Sequence, residues 1–295
     1  MLFAITFPAI APEIFSIELF GVTIAPRWYA LAYLVGIGIG AFLVWRALKV
    51  PRLWRENTPI MSPSEVESLV TYVVLGIIIG GRLGYVFFYQ PGYYIQNPLE
   101  IPLINRGGMA FHGGLIGVAV AGLLFCYRRQ VSVASIADLL ALATPPGILL
   151  GRVANFVNGE LWGRPTDVSW GVIFPDPRSQ ICPGFDQPCA RHPSQLYEAG
   201  LEGLLLGLAL IWLVWMRGWL KIPGAICGLF LAGYGMGRFI VEFFRQADAQ
   251  FITPDNPIGF VLTAGPLGVT MGQLLSLPMI LLGLAILIIA RRRAA

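Results

Sequence analysis

The stretch ESLVTYVVLGIIIGGRLGYVFFY, residues 67–89, decides the class of this protein, with Glu67 and Arg82 its only charges. At ~1.5 Å rise per residue, a helix of this length crosses ~30 Å of hydrocarbon. A soluble helix of that length would carry a polar stripe along one side, and this one has none. Outward from it, the pattern recurs at 28–48, 109–127, 136–156, 195–216, 223–244 and 270–290. The run at 136–156 is the weakest, because Asp138 and the pair Pro145-Pro146 interrupt it. Composition points the same way. Hydrophobic residues make up 56% and charged residues 12%, about half the charge of a soluble domain. The reading is an all-α integral membrane protein of about seven transmembrane helices, one polytopic domain over 1–295, with 157–194 inserted as a small periplasmic head.

Basic residues orient it. Arg46, Lys49, Arg52 and Arg55 mark the loop after the first run, and Arg128-Arg129 the loop after the third. Arg217 and Lys221 follow the fifth, and Arg291–Arg293 end the chain. These regions alternate along the sequence, so all face one side, which the positive-inside rule makes cytoplasmic. The N-terminus is then periplasmic and the C-terminus cytoplasmic. Segments 90–108, 157–194 and 245–269 fall on the outer side; the middle one holds Trp162, Pro165, Asp167, Asp176 and Asp186. The stretch from Phe3 to Ile24 is apolar but broken by Pro8 and Pro12, and reads as lying in the interface. No cleavable signal peptide is expected, since the first basic residue is Arg27. The basic pI of about 9.0 reflects these orienting loops, so no nucleic-acid partner is expected.

Cys182 and Cys189 lie in the outer loop, where an oxidising compartment permits a disulfide. No metal site is expected. His112 and His192 are the only histidines, and they join no compact Cys cluster.

An ionisable side chain near the middle of a membrane helix costs ~2.5–3.5 kcal/mol on insertion scales, so each one needs a reason. Arg82, His112, Asp138, Arg152, Glu160, Glu198, Glu202, Arg238, Glu242 and Arg245 are the candidates. Arg238, Glu242 and Arg245 fall at i, i+4 and i+7 on one helical face. Glu242 alone reads as an intrahelical ion pair. A second arginine on the stripe leaves surplus positive charge suited to an anion such as a lipid phosphate. In GRVANFVNGELWGR, residues 151–164, Arg152, Asn155 and Asn158 recur every third position and Glu160 follows. These groups suit phosphate and glycerol oxygens, or a capped helix end. His112, in FHGG, is either a base near neutral pH or a structural hydrogen-bonder. Glu198 and Glu202, at i and i+4, repel unless arginines face them.

GRVANFVNGELWG resembles the signature of bacterial prolipoprotein diacylglyceryl transferases. RWYALAYLVG (27–36), GGRLGYVFFY (80–89), FHGG (111–114), RHPSQLYE (191–198), YGMGRFIVEFFR (234–245) and MGQLLSLPM (271–279) agree in the same order. The resemblance implies an inner-membrane enzyme without metal or cofactor. It implies transfer of a diacylglyceryl group from phosphatidylglycerol to the lipobox cysteine of a prolipoprotein signal peptide, releasing glycerol phosphate. Arg152 and Arg238 would then stabilise the phosphate leaving group. Asn155, Glu160 and Tyr29 would contact the headgroup, Gly163 would permit a tight turn, and Glu242 would orient Arg238 beside Arg245. His112 would take the thiol proton, unless Arg238 lowers the thiol pKa by its field. The competing classes are a lipid or anion transporter with a basic cavity and a scaffold of buried ion pairs.

Overall fold

Apolar sequence becomes helix where the runs predict it. The computed structural model describes residues 4–8, 10–19, 22–104, 107–182, 184–185, 187–265 and 267–294; Phe3 and Asp186 lie outside these. The helices are α1 (Trp28–Leu48), α2 (Val66–Phe88), the short α3 (Pro91–Gln96), α4 (Phe111–Arg129) and α5 (Val133–Val157). Next, α6 (Ser194–Glu198) runs through a π-helical segment, Ala199–Leu205, into α7 (Leu206–Arg217). Last come α8 (Ala225–Val241) and α9 (Met271–Ala294). Among the described residues, six helical stretches are long and apolar enough to cross a membrane, and α8 is a shorter apolar helix. Only 22–39% of each long stretch's most apolar window is buried within the protein. The rest of that apolar surface requires lipid. This is an all-α integral membrane protein.

One expected helix holds through an interruption, and one expected boundary moved for a local reason. The 136–156 run is one continuous helix despite Pro145 and Pro146. Close neighbours support it there: a Cβ on Gly36 would lie 2.7 Å from Gly147 Cα, and one on Gly207 would lie 3.0 Å from Pro145 Cβ. The 223–244 run stops being helical at Val241, because residues 244–245 pair instead with 163–164. The N–H of Arg164 donates to Phe244 O at 2.9 Å.

Two compact units divide the chain: residues 41–140, and residues 1–40 with 141–295. In the first, α2 and α4 approach through small residues, and a Cβ on Gly80 would lie 2.7 Å from Gly117 Cα. Arg82, 4% exposed, donates to Ile101 O (2.7 Å), Glu100 O (2.8 Å) and the carbonyls of Gly107 and Gly108. That buried charge holds residues 100–101 and 107–108.

In the second unit α8 lies along α9. β1 spans Ile5–Thr6. Other short strands are β2 (Ile17–Leu19), β3 (Val22–Ile24), β4 (Val172–Ile173), β5 (Phe260–Ala264) and β6 (Leu267–Thr270). β1 pairs parallel with β4, while β2–β3 and β5–β6 are antiparallel. Phe7, Phe156, Trp162 and the fully buried Phe174 form the aromatic core beneath, with ring centroids 5.4–6.1 Å apart. Cys182 and Cys189 are disulfide-bonded. Arg191, 3% exposed, ties the loop inward through the carbonyls of Ser179, Ile181 and Gly163 and the side chain of Gln246.

A buried arginine cluster as candidate active site

Glu198, at the end of α6, is the centre. Its side chain is 2% exposed and faces three arginines from two other elements. Arg152 Nε of α5 lies 2.6 Å from Glu198 Oε2. Arg238 Nη1 of α8 and Arg245 Nη1, just beyond α8, lie 3.3 and 3.1 Å from Glu198 Oε1. Glu242 closes the group: Arg238 Nη2 and Arg245 Nε stand 2.9 and 3.2 Å from its Oε1. The i, i+4, i+7 stripe therefore works as expected, with Glu242 holding both arginines of its own helix end. Thr270 Oγ1 donates to Glu242 Oε2 at 2.8 Å, and α9 begins at Met271. Its positive N-terminal end adds to the field that favours this carboxylate.

Three guanidiniums against these two carboxylates leave one positive charge over. Glu202 is the third carboxyl nearby, 0% exposed, with neither oxygen hydrogen-bonded. Tyr234 of α8 bonds Arg152. At Arg245, burial and then the charge of Arg238 lower the pKa from the ordinary guanidinium value, while Glu198 and Glu242 oppose them.

The signature after Arg152 builds the neighbouring wall. Asn155 and Asn158 donate to Glu160 Oε1 at 2.8 and 3.1 Å, so the two amides orient this exposed carboxylate. Glu160 O in turn accepts from Gln195 Nε2, and Leu161 O from Ser194 Oγ at 3.1 Å. Leu161 sits at φ +58 and Gly159 at φ +66, so the tight turn lies at these residues. The constraint on Gly163 is a different one from a turn. A Cβ there would collide with Phe244 O and lie 2.7 Å from His192 O, because two backbone segments meet at that point. Tyr29 shares its hydroxyl with Tyr33 at 2.8 Å and lies within the electrostatic reach of Glu160 and Arg152.

Arg152, Arg238, Arg245, Glu242, Asn155, Glu160, Gly163 and Tyr29 thus belong to one unit. His112 belongs to the other. It is exposed at the start of α4, its ring edge-on to Phe111 at 5.6 Å. Glu198, whose position beside Glu202 called for arginines facing it, meets three of them. Sequence reasoning singled out neither Tyr234 nor Thr270.

A family model for prolipoprotein diacylglyceryl transferase matches residues 13–289. The chain belongs to that family. It is 60% identical to a phosphatidylglycerol–prolipoprotein diacylglyceryl transferase of Roseobacter denitrificans, over 99% of this chain and 98% of that protein. It is 59% identical to the protein of that name from Ruegeria pomeroyi, covering 97% of each. For the one from Rhodospirillum rubrum the identity is 50%, over 99% of this chain and 96% of the relative. As a transferase of this family, it carries the buried cluster where the family signature and the 234–245 segment meet.

Proposed function

We propose that this protein transfers the diacylglyceryl group of phosphatidylglycerol to the lipobox cysteine thiol of a prolipoprotein signal peptide, releasing glycerol phosphate. The observation that carries the reading is the surplus guanidinium charge held around Glu198. A phosphodiester carries one negative charge and matches it.

In this reading Arg152 and Arg238 bind the phosphate oxygens and stabilise the charge that develops as the carbon–oxygen bond breaks. Glu198, Glu242 and Arg245 hold the two guanidiniums at a fixed spacing, so little reorganisation accompanies reaction. Asn155 and Glu160 receive the glycerol hydroxyls, Tyr29 contacts the headgroup, and Gly163 keeps the wall close. The thiol must ionise to attack, and His112 takes its proton. The sulfur–carbon bond forms as the carbon–oxygen bond breaks, and the electron pair leaves on phosphate. The protein lies in the bacterial inner membrane with the head formed by 157–194 in the periplasm. The basic loops of the sequence and the disulfide-bonded segment support that orientation.

The test is reconstitution of the purified protein with phosphatidylglycerol and a lipobox peptide. A thioether-linked diacylglyceryl mass on the cysteine, with glycerol phosphate released, is the expected result. Protein that binds lipid yet leaves the thiol unmodified contradicts the reading. The transporter alternative predicts lipid movement across the bilayer without thiol modification.

A further inference from the structure

Glu202 is the one carboxyl of the cluster that the arginines do not hold. It sits in the π-helical segment Ala199–Leu205, a geometry that recurs at functional sites. Two neighbouring helices wall it in. A Cβ on Gly237 of α8 would lie 3.1 Å from Glu202 Cγ, and one on the adjacent Gly203 would lie 2.6 Å from Leu149 Cα of α5. The side chain is 0% exposed, and both carboxyl oxygens lack a hydrogen-bond partner. Glu198, on its own helical run, faces it, as do Arg152 of α5, Tyr234 and Arg238 of α8, and Arg245. The charges of α9 lie at its far end, Arg291–Arg293. Glu198 and Glu242 each draw guanidinium contacts of 2.6–3.3 Å, whereas Glu202 draws none.

A buried carboxylate without a donor on either oxygen is strongly disfavoured, and such a group keeps its proton instead. Charge balance gives that proton a consequence. With Glu202 neutral, three arginines and two carboxylates sum to one positive charge. With Glu202 ionised, the sum is zero.

We propose that Glu202 is held as a neutral carboxylic acid, a positioning residue that preserves the single surplus positive charge for the phosphodiester headgroup, so that lipid binding and retention of this proton are linked. The inference rests on the transferase reading above. Glu202 touches no substrate; it acts through the arginines. Ionising it weakens headgroup binding, so KM for phosphatidylglycerol rises with pH while kcat at saturating lipid is governed elsewhere. The converse also holds: when the anionic lipid binds at a pH where Glu202 is partly ionised, the protein takes up protons.

The experiment measures KM for phosphatidylglycerol between pH 6 and 9 with a lipobox peptide, for the full-length protein and for Glu202→Gln. In the wild type KM should climb on the alkaline side, at most ~10-fold per pH unit for one linked proton. In Glu202→Gln, whose amide is neutral at every pH, KM should stay flat and match the wild-type value at pH 6. The same alkaline climb in both proteins, a flat wild-type profile, or a Glu202→Gln KM already raised at pH 6 overturns the proposal. A second measurement needs no variant. Short-chain phosphatidylglycerol is titrated into the wild type in weak buffer without peptide, and proton uptake is followed from neutral pH upward. Uptake that grows with pH supports the linkage, and its absence across the range overturns it. If the wild type never forms the thioether, the transferase reading fails, whereas thioether formation without the KM shift fails this inference alone.

Discussion

At the scale of single residues, Glu198 explains why three arginines can share a buried space. Removing one member of a buried charge group leaves the others uncompensated and costs ~3–5 kcal/mol. Glu198→Gln should therefore lower thermal stability in detergent as well as activity, measured by unfolding and by thioether formation. The arginines should behave differently from one another's lysine variants and from alanine. Losing one donor aimed at developing charge costs ~10²–10³ in kcat. Arg152→Ala and Arg238→Ala should fall at least that far while still inserting, as assayed by peptide modification in membranes. Arg238→Lys keeps the charge but not the fork that spans Glu198 and Glu242, so it should remain well below wild type. Near-normal turnover in any of the three would remove that residue from the phosphate site. The 234–245 stripe was readable from spacing because Arg238, Glu242 and Arg245 lie within eight residues of one another, although the helix itself ends at Val241. Glu198 was not readable as their hub, because sequence separates it from them by some forty positions and only packing brings the helices together.

At the scale of elements, the strand-like meeting of 163–164 with 192 and 244–245 fixes where α8 ends and where Arg245 points. Gly163→Ala places a methyl group against Phe244 O and His192 O. Overpacking of this kind costs ~1–3 kcal/mol and should displace Arg245, lowering activity more than stability; parallel thermal and kinetic measurements separate the two. The same junction carries a pH response. Trp170 Nε1 donates to Tyr197 Oη at 2.8 Å, and Tyr197 Oη lies 3.1 Å from His192 Nδ1. An indole N–H only donates, so Tyr197 Oη accepts from Trp170 and its own proton can go to Nδ1 when the His192 ring is neutral. Burial lowers the His192 pKa. The unfolded chain therefore binds this proton more readily, and stability present above ~pH 6.5 is lost as pH falls below it. Amide protection factors around His192, corrected for the intrinsic pH dependence of exchange, should fall between pH 7 and 5, and His192→Gln should flatten that change. Sequence showed Gly163 as a residue to notice but not why. The constraint comes from a backbone contact between segments far apart in the chain, which no local pattern encodes. The α5 prolines taught the converse: they look like breakers locally, yet close neighbours keep that helix continuous.

At the scale of the whole molecule, the order of the six long apolar helices and the shorter α8 among the described residues was legible, since length and hydropathy are properties of each run alone. The head was legible only as a polar loop; its short β1–β4 pairing and aromatic core depend on Phe7 and Phe174, which lie far apart in sequence. Orientation has its own check. A membrane-impermeant thiol reagent should label a cysteine placed at Ile181, 70% exposed, from the outer side of intact cells and not a cysteine placed at Ala294. Labelling of the reverse pattern would invert the topology and with it the side on which the chemistry occurs. The central claim is that the cluster around Glu198 receives the lipid phosphate. An experimental structure of the protein with phosphatidylglycerol bound tests it most directly. The account predicts phosphate oxygens at ~2.7–2.9 Å from guanidinium nitrogens of both Arg152 and Arg238. A headgroup bound elsewhere, with both guanidiniums still turned only to Glu198 and Glu242, would contradict it.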